Sequence, residues 1–232
     1  VEIKKIFNCK GEHFMIEKTL KIKKYNSGNT EFDEKGFIII KNFYDPKELY
    51  QEIPSYMGRI GYHHDSYDLI TSYPEDENVP GAISRSGYPF FTKYHKEIFK
   101  EKIENILLKK IYPTYFFERY YFPGLELTKH KDRNSCEVSI SYNISTNLKY
   151  KWPIFIESLT GKDEKIELSP GDAVIYRGCE VTHWRNIMPK EYEKTWYFKK
   201  KEIKGLYYHQ IFMHYVFSDG YRCHFAGDKF NT

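Results

Sequence analysis

Residues 121 to 132 read Tyr121-Phe122-Pro123-Gly124-Leu125-Glu126-Leu127-Thr128-Lys129-His130-Lys131-Asp132. Pro123-Gly124 marks a turn, and Leu125 and Leu127 alternate with Glu126 and Thr128 as in a half-buried strand. Upstream, Thr114 to Phe122 is aromatic and β-prone. Downstream, Val138-Ser139-Ile140-Ser141-Tyr142-Asn143-Ile144 again has period two. From Pro113 onward the pattern continues through Trp152-Pro153-Ile154-Phe155-Ile156, Lys165-Ile166-Glu167-Leu168 and Ala173-Val174-Ile175-Tyr176, punctuated by turns at Thr160-Gly161 and Pro170-Gly171-Asp172. Strands spaced roughly 8 to 12 residues apart predict an antiparallel sandwich or jelly roll.

The first 112 residues read differently. Residues 1 to 35 are polar and Lys-rich, Phe37-Ile38-Ile39-Ile40 reads as a short buried strand, and Asp45-Pro46 has the cap-then-proline signature of a helix start. Residues 66 to 92, with Pro74, Pro80, Gly81, Gly87 and Pro89, read as a long loop or lid. Ile98, Ile103, Ile106 and Leu107 recur near helical spacing, predicting an amphipathic helix between Tyr94 and Lys110. The expected architecture is mainly β in an α+β chain. A core over residues 113 to 232 carries an extension of helices and loops, residues 1 to 112, packed on it in one compact unit.

Composition excludes several classes. The formal charge of +4, from 36 basic and 32 acidic groups, is too small to argue for a nucleic-acid partner, and basic runs such as Lys199-Lys200-Lys201 read as solvated surface. No signal peptide and no long apolar run is visible, so a soluble protein with no membrane partner is expected. Cys9, Cys136, Cys179 and Cys223 are scattered without a Cys-x-x-Cys pair, which indicates neither a zinc ribbon nor a disulfide framework and fits a reducing cytoplasmic setting. Oligomeric state leaves no mark in the sequence.

In a strand, positions i and i+2 face the same way, so His130 and Asp132 can grip one ion while Lys131 points outward. A third ligand must come from another strand, and His183 follows the run at Ala173 to Tyr176. Two histidines and one carboxylate, with the remaining positions open, suit non-haem Fe(II) oxygenases. A chain with nine histidines yields His-x-Asp easily, and His63-His64-Asp65 is a second copy. That copy sits in a Gly- and Pro-bearing loop context with no strand pair beside it. Gln210, Phe212 and His214 share one face of the last strand, and His209, Ile211, Met213 and Tyr215 the other.

The order Tyr121-Phe122-Pro123-Gly124, His130-x-Asp132, Ser141-Tyr142-Asn143, Pro170-Gly171-Asp172 leading into Ala173-Val174-Ile175-Tyr176, and then His183 resembles the Fe(II)- and 2-oxoglutarate-dependent dioxygenases. The prolyl-4-hydroxylase-like branch is the most similar, through the Tyr-x-Pro-Gly entry. The resemblance spans about residues 113 to 217. It implies a double-stranded β-helix, a jelly roll with the N-terminal helices and loops around it. Fe(II) would be held by His130, Asp132 and His183, with 2-oxoglutarate and O2 as cosubstrates and succinate and CO2 as products. The substrate would be a small molecule or a peptidyl residue.

The distal carboxylate of 2-oxoglutarate needs a cation. In that family the cation commonly lies about nine to eleven residues after the distal histidine, which here gives Lys194. Arg185 is preferred, because in a continuing strand it shares the face of His183 and its fork matches a carboxylate. The resemblance also assigns Tyr142 to this carboxylate; Gln210 on the last strand and Tyr121 are read as further donors. A base-repair type demethylase is disfavoured, since no arginine occurs between Arg185 and Arg222. The alternative is a cupin-like jelly roll that binds metal or ligand without turnover. Cys136 reads as a packing or rim residue.

Overall fold

In the computed structural model, residues 5–7, 13–15, 26–50, 70–71, 78–79, 82–194, 196 and 200–227 are described. The strands are β1 (Lys5–Phe7), β2 (His13–Met15), β3 (Phe37–Ile40), β4 (Ile70–Thr71), β5 (Ile83–Ser86), β6 (Ile111–Tyr121), β7 (Leu127–His130), β8 (Val138–Thr146), β9 (Ile154–Glu157), β10 (Asp163–Ile166), β11 (Ala173–Tyr176), β12 (Thr182–Arg185), β13 (Tyr192–Lys194), β14 (Lys200–Glu202) and β15 (Tyr208–Phe217). Helix α1 is Thr30–Lys35, and a π-helical turn at Tyr94–Ile98 runs into α2 (Phe99–Leu107).

Two antiparallel sheets carry the architecture. The larger has the order β3-β11-β8-β15-β6-β5-β4 and the smaller β10-β9-β12-β7. Along the core the chain passes back and forth between the sheets, β6, β8, β11 and β15 in the larger and β7, β9, β10 and β12 in the smaller, the pattern of a double-stranded β-helix, the expected jelly roll. The first 112 residues supply more than helices, since β3 pairs with β11, and β5 with β6. The expected long loop at 66–92 is corrected here: Ile83–Ser86 is a strand, and Ile70–Thr71 extends the sheet beyond it. Arg85 stands directly opposite Glu118 in that pairing and forms an ion pair with it, a non-local contact that local polarity conceals. The helix start at Asp45 gives only a 3-10 turn, Pro46–Glu48, with Asp45 accepting from the Lys47 N–H. His63, His64 and Asp65 lie outside the described residues.

Period two sorts the central strands into two environments. On β8, Val138, Ile140, Tyr142 and Ile144 join Ile211, Met213, Tyr215 and Phe217 of β15 in a core closed by Phe99, Ile103 and Leu107 of α2. The alternate residues, Ser139, Ser141 and Asn143 on β8 and Gln210, Phe212 and His214 on β15, face the smaller sheet. Both faces of β15 are thus covered, and all ten of its residues are buried. Between the sheets, Ile154, Ile156, Ile166, Val174, Tyr176 and Val181 form one apolar cluster, and Tyr121, Leu127, Trp152, Tyr208 and Phe212 belong to another.

Among the described residues no helix is long and apolar enough to cross a membrane. Cys223 is held in a disulfide, which the scattered spacing of the cysteines did not announce, whereas Cys136 and Cys179 are free thiols. Arg177, fully buried, bonds Asp33 of α1 at 2.5 Å and Glu180 at 3.3 Å, tying the N-terminal helix to the turn that leads to β12.

His95 pins the turn before α2 to the sheet. Its Nε2 meets the His214 carbonyl at 3.1 Å, its own carbonyl accepts from the Tyr215 hydroxyl at 3.0 Å, and its ring packs on Phe116 and Tyr215. Burial lowers its pKa from 6.5 to about 4, against the opposing effect of the His214 carbonyl. A folded-state pKa below the unfolded one means that the unfolded chain binds the extra proton. The stability contribution is therefore complete above about pH 6.5 and declines as pH falls toward 4. Between pH 7.5 and 5 this linkage costs about 2 kcal/mol for one such histidine. In urea titrations at the two pH values, His95→Gln should lose about that much of the wild-type pH dependence; an unchanged difference would contradict the assignment.

Candidate metal centre

The antiparallel register of β7 and β12 sets His183 opposite His130. Their rings lie 4.3 Å apart between centroids, and their Nε2 atoms approach Asp132 Oδ1 to 3.6 Å for His130 and 3.5 Å for His183. One donor atom from each of the three lies within 4.8 Å of the others. An ion bonded at about 2.1 Å to each needs neighbouring donors about 3 Å apart, so a small inward closure completes the site.

Each ligand is oriented from behind. His130 Nδ1 lies 2.7 Å from the Thr128 carbonyl and His183 Nδ1 3.3 Å from the Val181 carbonyl. A proton on Nδ1 donating to those carbonyls leaves each Nε2 lone pair aimed at the centre. Asp132 arrives by a different route from the one the sequence predicts. Strand β7 ends at His130, and Asp132 lies beyond it, fixed by its own N–H donating to the Gly178 carbonyl at 2.9 Å. Its Oδ2 accepts from Ser139 Oγ at 3.0 Å, and Ser139 Oγ lies 2.9 Å from His214 Nδ1. Because the Ser139 hydroxyl donates its hydrogen bond to the Asp132 carboxylate, its oxygen accepts from a proton on His214 Nδ1. A relay His214 to Ser139 to Asp132 thus holds one carboxylate oxygen and leaves the other for the ion.

Electrostatics match this arrangement. Burial pushes the Asp132 carboxyl up, but the charge of His183 and the approach of both histidines outweigh it and hold the group well below the usual carboxylate range. Burial depresses His130, yet Asp132 more than compensates and its pKa is raised. Burial drives the thiols nearby up, Cys136 well above its ordinary value and Cys179 to about 12, which disfavours the thiolate form of both. Cys136 packs against the Tyr115 hydroxyl, its Sγ at 3.2 Å.

A second polar group lies on the same inner wall. Arg185, 1% exposed, donates to the Trp152 carbonyl at 2.6 Å, to Gln210 Oε1 at 2.8 Å and toward the Tyr208 hydroxyl at 3.5 Å, with its guanidinium over the Trp152 and Tyr208 rings. All three partners are neutral, and among the described residues no carboxylate pairs with this buried cation. Arg185 Nε, Gln210 Nε2, Tyr121 Oη, Ser141 Oγ, Asn143 Oδ1 and His214 Nε2 are buried without hydrogen-bond partners. A buried polar atom left unsatisfied costs about 1–3 kcal/mol. Of these six atoms, Arg185 Nε lies on β12 and the other five on β6, β8 and β15 of the facing sheet, so unsatisfied polar groups lie on both sheets.

Two expected contacts fall elsewhere. Tyr142 points away from this inner wall, because its parity on β8 is that of Ile140 and Ile144. Its hydroxyl donates to the Tyr44 carbonyl at 3.1 Å and its ring packs on Phe99. Lys194 lies exposed on the β13–β14 hairpin, which leaves the sheets directly after β12 and carries the residues at that spacing out of the interior. Ser139 and Gly178 were missed. The inward parity of Ser139 within Val138–Ile144 could have revealed it; Gly178 carries no signal beyond preceding the distal histidine. A Cβ on Gly178 would stand within 2.6 Å of Asp132 Oδ2, Cys136 O and Ser139 Oγ.

Removing the Ser139 hydroxyl should therefore weaken a divalent ion about 10- to 100-fold, the usual effect of losing a group that orients a ligand. Calorimetric titration with Co(II) checks this with Ser139→Ala against Lys131→Ala, whose exposed side chain should leave affinity unchanged. Equal affinities for the two variants would contradict the relay.

No protein-family model matches the chain, and no curated protein sequence does. Solved structures do. A prolyl-4-hydroxylase from Pseudomonas putida is 12% identical, covering 79% of this chain and 95% of its own, with a TM-score of 0.51. EctD from S. alaskensis, solved with 2-oxoglutarate and 5-hydroxyectoine, is 12% identical over 92% of this chain and 83% of its own, at 0.53. HygX from Streptomyces hygroscopicus, with nickel, 2-oxoglutarate and hygromycin B bound, is 9% identical over 87% and 86%, at 0.52. At these identities the likeness establishes the shared double-stranded β-helix fold.

Proposed function

We propose that the protein is an Fe(II)- and 2-oxoglutarate-dependent dioxygenase that hydroxylates a small molecule or a peptidyl residue. The observation that carries this reading is Arg185, a buried guanidinium without a carboxylate partner among the described residues, on the same strand face as His183 and two residues beyond it. His130, Asp132 and His183 would hold the iron, and Arg185, Gln210 and Tyr121 would hold the distal carboxylate of the cosubstrate. Structures of the same fold that contain 2-oxoglutarate support the reading.

Bound iron with 2-oxoglutarate and O2 supplies the oxidising chemistry, releasing succinate and CO2 as a substrate C–H is hydroxylated. The chain's own residues do the rest. Asp132 and the two histidines would supply three donors to the ion, a set that suits non-haem iron. The relay through Ser139 keeps Asp132 Oδ2 occupied, so that only Oδ1 is offered. Gln210 Oε1 accepts from Arg185, which fixes the guanidinium plane and turns the Gln210 amide N–H groups toward the same region. Around the guanidinium, Trp152 and Tyr208 lower the local dielectric and strengthen a charge-assisted pair.

Incubated aerobically with Fe(II), ascorbate and 2-oxoglutarate, the purified protein should form succinate, and His130→Ala should not. Arg185→Gln should raise the 2-oxoglutarate concentration for half-maximal turnover by about 30-fold or more, as expected when a buried charged pair loses one partner, while Co(II) affinity stays within about threefold. Succinate formation that is absent in the wild type, or insensitive to Arg185→Gln, would contradict the assignment.

A further inference from the structure

After β12 the chain leaves the barrel as a two-stranded ribbon, β13 and β14, which pairs with no other described strand. All of β13 and the first two residues of β14 are exposed. Both outer edges of the ribbon are thus open among the described residues, and a two-stranded ribbon, marginal alone, gains from a third strand. Its root is fixed to the barrel. Trp152 Nε1 donates to the Asn186 carbonyl at 2.9 Å and the Tyr150 hydroxyl to the Pro189 carbonyl at 2.6 Å. Between them the Met188 N–H donates to the Leu125 carbonyl at 2.7 Å, and the Met188 carbonyl accepts from the Gly124 N–H at 2.9 Å.

Register sorts the side chains of the ribbon. Tyr192 stands opposite Glu202 and Lys194 opposite Lys200, so these four share one face, while Glu193 and Lys201 share the other. On the second face Glu193 and Lys201 pair at 3.8 Å. On the first, Glu202 is held by Lys190 at 3.4 Å and by Lys204 at 3.1 Å. Glu191, at the base, accepts from the Lys149 N–H at 2.9 Å. The carboxylates from Glu191 to Glu202 are therefore all engaged, whereas Lys194 and Lys200 meet no acid among the described residues. Like charges directly opposite on a ladder, about 5 Å apart, destabilise it. An anion laid across both lysines reverses the sign of that interaction, and Tyr192, 53% exposed, offers an apolar ring on the same face.

We propose that this ribbon docks an extended acidic segment of a protein partner, added as a third strand whose alternate carboxylates meet Lys194 and Lys200. Strand addition supplies backbone hydrogen bonds, and period two supplies selectivity, because only every second side chain faces the lysines. A flat anionic bilayer would also meet the interspersed Glu191, Glu193 and Glu202, and no arginine fork lies here to grip the phosphates of a nucleic acid. Docking of this kind is independent of the metal chemistry, since it needs neither iron nor 2-oxoglutarate.

Fluorescence anisotropy of labelled peptides on the full chain, without added metal, tests the proposal. A peptide of about ten residues alternating aspartate with threonine should bind at least about fivefold more tightly than one alternating asparagine with threonine, the effect of two exposed ion pairs. Raising NaCl to about 0.5 M should remove the difference. A peptide of the same composition with its aspartates contiguous should bind more weakly than the alternating one, and equal binding of these two overturns strand addition. Lys194→Glu combined with Lys200→Glu should reverse the preference between the acidic and the neutral peptide. Equal binding of those two peptides to the wild type overturns the proposal without recourse to any variant, and so does a preference that survives the double substitution. Phosphatidylserine vesicles or an oligothymidine strand that bind through these lysines while the acidic peptide does not would make the surface a membrane or nucleic-acid site, which overturns it as well.

Discussion

The antiparallel pairing that sets His183 of β12 opposite His130 of β7 is the constraint on which the rest of the interior depends. Two imidazoles held 4.3 Å apart make a place for a carboxylate that burial would otherwise drive toward its neutral form. Asp132 enters that place from beyond the strand end, anchored by Gly178 and Ser139. The turn before β12 has to come so close that only glycine fits. A one-residue slip in this pairing would turn His183 and Arg185 outward together, removing both the metal donor and the cation.

Around this pair the sheets divide apolar from polar work. The outer face of β8 and β15 packs on α2 and provides a conventional core. The inner face carries serines, an asparagine, a glutamine and a histidine between two apolar clusters. Such a wall is costly when its donors and acceptors have no partners, and its cost falls only when a polar ligand engages them. The same wall changes character toward β6, where Tyr115, Phe117 and Phe212 replace hydroxyls and amides with rings.

Much of this was legible in the sequence, because period two assigns faces and the strand spacing assigns the class. His130, Asp132 and His183 come together in space as expected, although Asp132 lies beyond the strand end and not on its face, and Arg185 shares their interior because it lies two residues along the strand from His183. The misplaced residues have physical reasons. Tyr142 was assigned by resemblance, although its parity with Ile140 and Ile144 already put it on the helix side. Lys194 follows a spacing that holds only if the chain continues into the sheet, and here it turns out into a hairpin. Strand β5 is held by its ladder to β6, where Arg85 meets Glu118, a pairing between residues distant in sequence. Gly178 matters through a close approach of two backbones, which no local pattern records.

The central claim is that one interior holds a metal at the His130, Asp132 and His183 triad and a dicarboxylate at Arg185. An anaerobic crystal structure of the protein with Fe(II) and 2-oxoglutarate tests it most directly. Iron should be bonded to His130 Nε2, Asp132 Oδ1 and His183 Nε2, and the distal carboxylate should meet the Arg185 guanidinium and the Gln210 amide. Iron bound elsewhere, or a distal carboxylate paired with a different cation while Arg185 keeps only its neutral partners, would contradict the account.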